Sequence, residues 1–468
     1  MRCFFSLSIS VIIFSSLCAQ APYTQPLFTY DSLVDVVYGT DWGYAGHTDT
    51  LLLDIYKPHG DNNCKRPMIV LIHGGAWIGG SKSDVDLVRM SRDFAKRGWV
   101  VANINYRLGT HKASSYVMYA LCNTNISQPC AYIADSAEVI RANYRGMQDA
   151  KGAIRFMKNR HLLDSTDIHN VYLCGESAGG FIALAAAFTD QPTEKPAACY
   201  SIANAPNPSS NLNSYSCLPT PNSLLRPDLG SVEGILNLGN YDASVKGVGN
   251  IFGGMFDFSS LQQTSGNSPC VYLYHQGSDV VVHYQYGKIL GRTSWECYAQ
   301  TNLCQSYYFY PFAYGSEGIR QQFVAMGSSA PVFSTDIISN FNYLNDCFAN
   351  GHSIDNYPVR YQNMVDFFAN AIQQSGNSPT TSCLNSTDIK PTNSNDILQI
   401  FPNPFTDKLT VTTKSNCIFT IQDVFGKVIV NGKFEKGENV IVLNELHSGV
   451  YILTLSGQQT SFTRIVKQ

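Results

Sequence analysis

Charged residues are scarce in this chain. Asp, Glu, Lys and Arg together make up 14% of its 468 residues, and the formal net charge is −3 at pH 7. A protein that binds nucleic acid or an anionic membrane surface needs a basic surface to do so. The charge balance therefore argues against nucleic acid and anionic lipid as partners.

The sequence also lacks an apolar run that is long enough for a stable membrane span. The longest candidate, Cys3 to Leu17, follows Met1-Arg2 and is rich in serine, and it falls short of the usual length. A basic start, an apolar centre and a small residue at its end are typical of a signal peptide. We predict a signal peptide over residues 1–19, cleaved after Ala19. Lipoprotein processing at Cys18 is the weaker alternative, because Leu17 is bulky where a small residue is expected.

Cysteine is present in an even number once the signal peptide is removed. The chain has 14 cysteines, two of which lie in residues 1–19, and this leaves twelve. An even count fits an oxidising compartment and predicts disulfide bonds. The short spacings Cys122/Cys130 and Cys297/Cys304 indicate local bridges, although sequence alone does not fix the pairing.

Strand-like and helix-like segments alternate through most of the chain. Apolar or alternating runs predict strands at 33–38, 50–56, 68–72, 99–105, 244–252, 271–275 and 305–310, and a strand, turn and helix at 168–188. Helical spacing of apolar residues predicts helices at 84–97, 135–161 and 357–374. This alternation predicts an α/β fold with a mostly parallel sheet that is covered by helices on both faces.

Polar stretches interrupt and end this pattern. Residues 109–134, 191–243 and 311–350 are rich in small and polar residues and are expected as cap-like excursions from a domain over 20–374. Residues 375–395 have the composition of a linker. Short alternating segments, with turn dipeptides such as Asn431-Gly432, predict a small all-β domain over 396–468.

The pattern Gly175-Glu176-Ser177-Ala178-Gly179 follows a strand and precedes an Ala-rich helical run. A G-x-S-x-G sequence in this context forms a sharp turn that lifts the serine hydroxyl above the edge of the sheet. We predict that Ser177 is a nucleophile and that the Ala178 N–H points at the developing oxyanion. By itself the pattern also arises by chance in chains that contain Gly and Ser.

A second motif supports the first. The buried-strand run at 68–72 opens into His73-Gly74-Gly75-Ala76-Trp77, an H-G-G loop of the kind that supplies further oxyanion donors. Two independent motifs, each directly after a strand, favour an enzyme over a chance match. His73 and Glu176 are expected to be structural partners rather than a base and an acid.

The base and the acid are predicted from chain order, which in such sheets is Ser, acid, His. Of the ten histidines, only His275, His283 and His352 follow Ser177 and precede the tail. His275 precedes the best acid candidate and His283 follows it by four residues, so His352 is the predicted base. The acid is Asp279, in a Gly-containing turn after a strand, with Asp257 as the runner-up.

These motifs, with Asn105-Tyr106-Arg107-Leu108 and the stretch 275–284, resemble the α/β-hydrolase superfamily over residues 33–374. Within it they are similar to the secreted carboxylesterases of the hormone-sensitive-lipase and feruloyl-esterase-like branches. The resemblance implies a Ser177, Asp279 and His352 triad. It also implies oxyanion donors at the backbone N–H groups of Gly75, Ala76 and Ala178.

The tail resembles the C-terminal sorting domain of the type IX secretion system of Gram-negative bacteria. The resemblance lies in Ile400 to Phe405, Val424 to Lys427 and Leu446 to Leu453. It implies export through the periplasm and outer membrane, to the cell surface or the medium, with the secretion machinery as a partner. A carbohydrate-binding module is the rival, but Tyr451 is the one Tyr or Trp of the tail that could stack on a sugar.

The resulting expectation is a secreted serine hydrolase that cleaves carboxylic esters through an acyl-enzyme intermediate, on small or polymer-linked substrates. The chemistry needs no metal or organic cofactor, and we predict none. A serine peptidase of the same fold is the close alternative. A catalytically silent surface-binding protein on the same scaffold is the alternative from another class.

Overall fold

The structure is a computed structural model, and it describes residues 22–43, 48–110, 136–206, 223–261, 268–290, 310–339, 351–374, 397–423, 428–456 and 460–467. The chain divides into two compact units, Met1–Thr380 and Thr381–Gln468. The predicted signal peptide and linker, the excursion 109–134 apart from its first two residues, and the pairs Cys122/Cys130 and Cys297/Cys304 lie outside the described residues. No described helix is long and apolar enough to cross a membrane.

The first unit is built from strands and helices that alternate along the chain. Its strands are β1 (Thr29–Trp42), β2 (Thr48–His59), β3 (Arg66–Ile72), β4 (Val100–Ile104), β5 (Thr166–Glu176), β6 (Ile202–Pro206), β7 (Ser223–Arg226), β8 (Gly247–Ile251), β9 (Gly254–Met255), β10 (Cys270–Gln276), β11 (Tyr286–Lys288), β12 (Phe312–Gly315) and β13 (Phe333–Ile338). Its helices are α1 (Val85–Ala95), α2 (Ser136–Asn159), α3 (His161–Asp164), α4 (Ala178–Phe188), α5 (Ser316–Met326) and α6 (Tyr357–Gln374).

Eight of these strands form one sheet in the order β1-β2-β4-β3-β5-β8-β10-β13. The pairings from β4 through β13 are all parallel, whereas β2 runs antiparallel to both β1 and β4. Parallel strands bring their carboxyl ends to the same edge of a sheet, where ligands bind in such folds. The carboxyl ends of β3, β5 and β10 therefore lie along one edge.

Both faces of the sheet are covered, as predicted. Strand β3 shows why, because its apolar residues alternate between two cores. Val70 and Ile72 belong to the core that includes α2 and α4, whereas Ile69 and Leu71 belong to the core that includes α1 and α6. The run is apolar at every position because neither face meets water.

The end of the sheet differs from the prediction. The last strand was predicted at 305–310, of which residues 305–309 lie outside the described residues. The sheet ends with β13, which lies with α5 inside the predicted excursion 311–350. Strand β13 contains Ser334-Thr335-Asp336, and all six of its residues are half-buried. An edge strand of this composition has no apolar run, and periodicity therefore does not reveal it.

The second unit is all-β, with strands β14 (Ile397–Phe401), β15 (Lys408–Thr413), β16 (Cys417–Asp423), β17 (Val428–Phe434), β18 (Gly437–Val442), β19 (Gly449–Ser456) and β20 (Thr460–Lys467). They form two sheets, β14-β15-β18 and β17-β16-β19-β20. The prediction of a turn at Asn431-Gly432 is wrong, because both residues lie within β17. Gly432 is opposite Phe419 on β16, whose ring leaves no room for a side chain there.

Candidate active site

Strand β5 passes into α4 through a single residue, Ser177, in a strained turn. Ser177 has φ 53° and ψ −123°, a left-handed conformation that favours glycine. The turn is tight because a Cβ on Gly175 would lie 2.0 Å from the carbonyl oxygen of Gly179, and one on Gly179 would lie 2.2 Å from that of Ile72. Glycine at both positions therefore lets β3, β5 and α4 approach closely around the serine.

The three predicted side chains meet at this turn. His352 Nε2 lies 2.8 Å from the Ser177 Oγ, and His352 Nδ1 lies 2.8 Å from Asp279 Oδ2. If Nδ1–H donates to Asp279, Nε2 is free to accept the hydroxyl proton of Ser177. Residues 177, 279 and 352 come from the carboxyl end of β5, the turn after β10 and the loop before α6.

Asp279 is fully buried, and donors from the protein hydrogen-bond its carboxylate in place of water. Its Oδ1 accepts the backbone N–H groups of Val281 and Val282 at 2.8 and 2.9 Å. Burial alone would raise the pKa of Asp279, but the adjacent His352 and hydrogen bonds from His275 and His352 hold it well below its usual range. Asp279 is therefore ionised and stabilises a positive charge on His352.

His275 is a neighbour that sequence reasoning did not foresee. It was set aside as a base because it precedes Asp279, yet its Nε2 lies 3.2 Å from Asp279 Oδ2 and 3.0 Å from the Val282 carbonyl oxygen. The Ser316 N–H donates to His275 Nδ1 at 3.2 Å, which assigns the ring proton to Nε2. The spacing of four residues keeps His275 and Asp279 near each other in the chain but does not by itself predict this contact.

The loop that carries His352 is tied to the end of β10. Gln276 Nε2 and the Tyr274 hydroxyl both donate to the Ser353 carbonyl oxygen, at 2.7 and 3.1 Å. The Phe252 ring packs against His352, with ring centroids 4.7 Å apart. These contacts fix the position of the imidazole relative to Ser177.

The other sequence candidates lie elsewhere or have structural contacts. Asp257, the runner-up acid, is exposed and accepts the backbone N–H of Ser259. His73 is fully buried, donates from Nδ1 to the Gly74 carbonyl oxygen at 2.7 Å and stacks on Tyr106. Burial lowers the pKa of His73, so it is neutral and shapes the H-G-G loop. His283 lies in an irregular segment before β11.

The three residues predicted as oxyanion donors line cavities that also contain Ser177. Ala76 and Ala178 line an apolar cavity together with Ser177, and Gly75 lines a more open cavity with Ser177 and His352. Ala178 is the first residue of α4, so its N–H is one of those left without an intrahelical partner. Residues of the loop after β3 and the first residue of α4 thus line the cavities that contain Ser177.

Glu176 links the turn to the H-G-G loop. Its carboxylate accepts the Gly74 backbone N–H, and burial together with the nearby Asp86 and Asp84 raises the pKa of Glu176 to about 7. It is therefore partly protonated at neutral pH.

Within the described ranges, no group of three or more His, Cys, Asp or Glu side chains is arranged to hold a metal ion.

The strand order and the strand–turn–helix at Ser177 are those of the α/β-hydrolase fold. Residues 53–145 match the BD-FAE family, and residues 399–468 match the secretion system C-terminal sorting domain. The chain thus has an α/β-hydrolase domain similar to carboxylesterases and a type IX sorting domain at its C-terminus. The sorting domain indicates export to the cell surface or the medium, as predicted.

Curated relatives match about a third of this chain. The bile salt-activated lipase of Homo sapiens is 28% identical over 36% of this chain and 18% of its own length. Esterase-5B of Drosophila persimilis is 24% identical over 35% of this chain and 27% of its own length. The neuroligin-like protein glit-1 of Caenorhabditis elegans is 31% identical over 28% of this chain and 15% of its own length. The chain spans less than a third of each of these relatives.

Solved structures of esterases are similar over a larger share of the chain. A truncated carbohydrate esterase from gut microbiota has a TM-score of 0.40 at 16% identity and covers 76% of this chain and 100% of its own. The apo form of Thermogutta terrifontis esterase 2 has a TM-score of 0.39 at 14% identity and covers 75% and 97%.

Proposed function

We propose that this protein hydrolyses carboxylic esters through an acyl-enzyme intermediate on Ser177. The observation that supports this most directly is the 2.8 Å contact between the Ser177 Oγ and His352 Nε2, with Asp279 on the opposite ring nitrogen. A hydroxyl is a weak nucleophile until a base within hydrogen-bond reach accepts its proton. The proposal is also supported by the cavities at Ser177, whose walls include the residues predicted as oxyanion donors.

The reaction has two halves. Ser177 Oγ attacks the ester carbonyl carbon while its proton passes to His352 Nε2, and the N–H groups of Gly75, Ala76 and Ala178 stabilise the oxyanion. The intermediate collapses, the C–O bond to the alcohol breaks, and the alcohol leaves with the proton from His352. Water, deprotonated by His352, then attacks the acyl-enzyme, and the acid is released with the Ser177 proton restored.

The test is the substitution Ser177→Ala. We expect kcat/KM for p-nitrophenyl acetate to fall by on the order of 10⁴-fold or more, with little change in folding because a small polar side chain is removed. Mass spectrometry of the wild-type protein after treatment with a fluorophosphonate should show one adduct, on Ser177. A Ser177→Ala variant with wild-type turnover would overturn the proposal.

The two alternatives give different outcomes in the same assay. A serine peptidase of this fold would label with the fluorophosphonate and cleave peptide anilides in preference to esters. A catalytically silent binding protein would remain folded and show neither labelling nor turnover. The sheet and the site geometry are common to all three, so labelling and the substrate comparison together separate them.

A further inference from the structure

Two cavities of different character meet at Ser177. The first has a volume of about 40 Å³ and mostly apolar walls, among them Trp77, Phe181, Val282 and Leu290. The second is more open, has a volume of about 220 Å³, and is lined by His352 and by the carboxylates of Asp84, Asp86 and Glu176. An ester that reacts at Ser177 has two substituents, and each must lie on one of these sides.

The position of His352 decides which substituent goes where. The leaving alcohol takes its proton from His352 Nε2, so it must lie on the His352 side of the serine. That side is the open, polar cavity. The acyl substituent therefore enters the small apolar cavity, whose walls include the oxyanion residues Ala76 and Ala178.

The walls of the small cavity are held firmly. The indole N–H of Trp77 donates to Asn143 Oδ1 at 3.1 Å, and the Trp77 ring packs edge-on against Phe181 with centroids 5.4 Å apart. Phe181 in turn stacks on Phe256 at 5.0 Å. Enlarging the cavity by moving Trp77 would break a buried hydrogen bond and these ring contacts, which is costly.

The volume sets a limit on the acyl chain. A water-sized group needs roughly 10–15 Å³ of cavity volume. The apolar cavity, at about 40 Å³, therefore holds about three such groups of an acyl chain. We propose that this cavity restricts the protein to esters of short aliphatic acids, acetyl through butyryl, and excludes long-chain and aromatic acyl groups. This inference rests on the proposed function and names the substrate class of the same site.

The first measurement is a chain-length series on the wild-type protein. We expect kcat/KM to be similar for p-nitrophenyl acetate and butyrate and to fall by about tenfold or more for each further pair of carbons through hexanoate and octanoate. Methyl ferulate should not be turned over above background. Octanoate or methyl ferulate turned over as well as acetate would overturn the inference.

A matched pair of variants tests whether the walls of the small cavity set the limit on acyl-chain length. Leu290→Ala shortens a wall residue, whereas Leu236→Ala makes the same change at a residue outside the cavity. The two leucines are 8% and 7% exposed, respectively. We expect Leu290→Ala to raise the octanoate-to-acetate ratio of kcat/KM by about tenfold and Leu236→Ala to leave it unchanged. An equal ratio in both variants would also overturn the inference.

Failure of the inference is distinguishable from failure of the proposed function. Fluorophosphonate labelling of Ser177 with indiscriminate ester hydrolysis would remove the chain-length limit and leave the esterase proposal intact. Absence of labelling and of all ester hydrolysis would remove the proposed function, and the inference with it.

Discussion

Ser177 combines the reactive hydroxyl with an unfavourable backbone conformation. A non-glycine residue at φ 53° and ψ −123° costs of order 1–3 kcal/mol. The surrounding structure maintains this conformation through two backbone hydrogen bonds. The Ser177 N–H donates to the Ile251 carbonyl oxygen at 2.9 Å, and the Gly180 N–H donates to the Ser177 carbonyl oxygen. The strain is the cost of holding the hydroxyl above the sheet edge.

This strain predicts a difference between two inactive variants. Ser177→Ala and Ser177→Gly both remove the hydroxyl, but only the glycine variant relieves the strain. Glycine also costs roughly 0.5–1 kcal/mol in backbone entropy, so we expect the glycine variant to be about 1 kcal/mol more stable, with a melting temperature about 2 °C higher. Thermal unfolding measures this. A glycine variant less stable than the alanine variant would contradict a strained native turn.

At the scale of elements, the turn and the H-G-G loop are joined through Glu176. Because burial and nearby carboxylates raise its pKa from 4.5 to about 7, the folded chain binds a proton here more tightly than the unfolded chain. This contribution to stability is fully present below pH 4.5 and is lost as the pH rises through about 7. Its size is at most about 3 kcal/mol.

Glu176→Gln should therefore flatten the pH dependence of stability. Glutamine keeps an oxygen for the Gly74 N–H but has no proton to lose, so we expect the variant to be more stable than wild type at pH 8 and to lose less stability between pH 5 and pH 8. Urea unfolding followed by tryptophan fluorescence measures this for the first unit, which contains all four tryptophans.

A second glutamate provides a control of opposite sign. A hydrogen bond from Arg320 lowers the pKa of Glu317, so its stabilising contribution is present above its unfolded pKa and is lost as the pH falls. We expect Glu317→Gln to be less stable than wild type at pH 8. An unchanged pH slope in Glu176→Gln would show that the Glu176 carboxyl is ionised without cost in the folded chain.

How far the sequence predicts these elements depends on what surrounds each one. The strands that flank the site are buried on both faces, so their apolar runs were visible, and the motifs that follow β3 and β5 could be assigned to the sheet edge. Strand β13 is an edge strand with half-buried residues and gave no such signal. The His275 contact with Asp279 depends on how the turn after β10 folds back, and residue spacing alone does not establish this.

At the scale of the whole molecule, the two units have separate cores. The core of the second unit includes Phe405, Leu409, Val411, Ile421 and Leu453, and none of these residues belongs to the two cores of the first unit. A unit with its own apolar core can fold independently. The sorting domain and the hydrolase domain are therefore expected to act separately, one in export and one in catalysis.

Removing the second unit tests this separation. We expect a chain that ends at residue 374 to keep kcat/KM for p-nitrophenyl acetate within about twofold of the full-length value. Its unfolding midpoint, measured by tryptophan fluorescence, should also be unchanged, because no contact within the two cores of the first unit is lost. The same chain should remain inside a type IX-competent host, since the sorting signal is absent. A large loss of activity or stability would show that the two units depend on each other.

Point substitutions in the full-length chain test whether export requires a folded tail or only the presence of its residues. Leu409 is fully buried in the tail core, whereas Ile418 is 52% exposed, so aspartate should unfold the tail at the first position and be tolerated at the second. We expect Leu409→Asp to abolish export, measured as activity in the medium and at the cell surface, and Ile418→Asp to preserve it. Because the first unit is untouched in both, the total activity of cells and medium together should equal that of wild type, and the Leu409→Asp activity should be found inside the cells. Normal export of Leu409→Asp would mean that the machinery reads the tail as an unfolded segment.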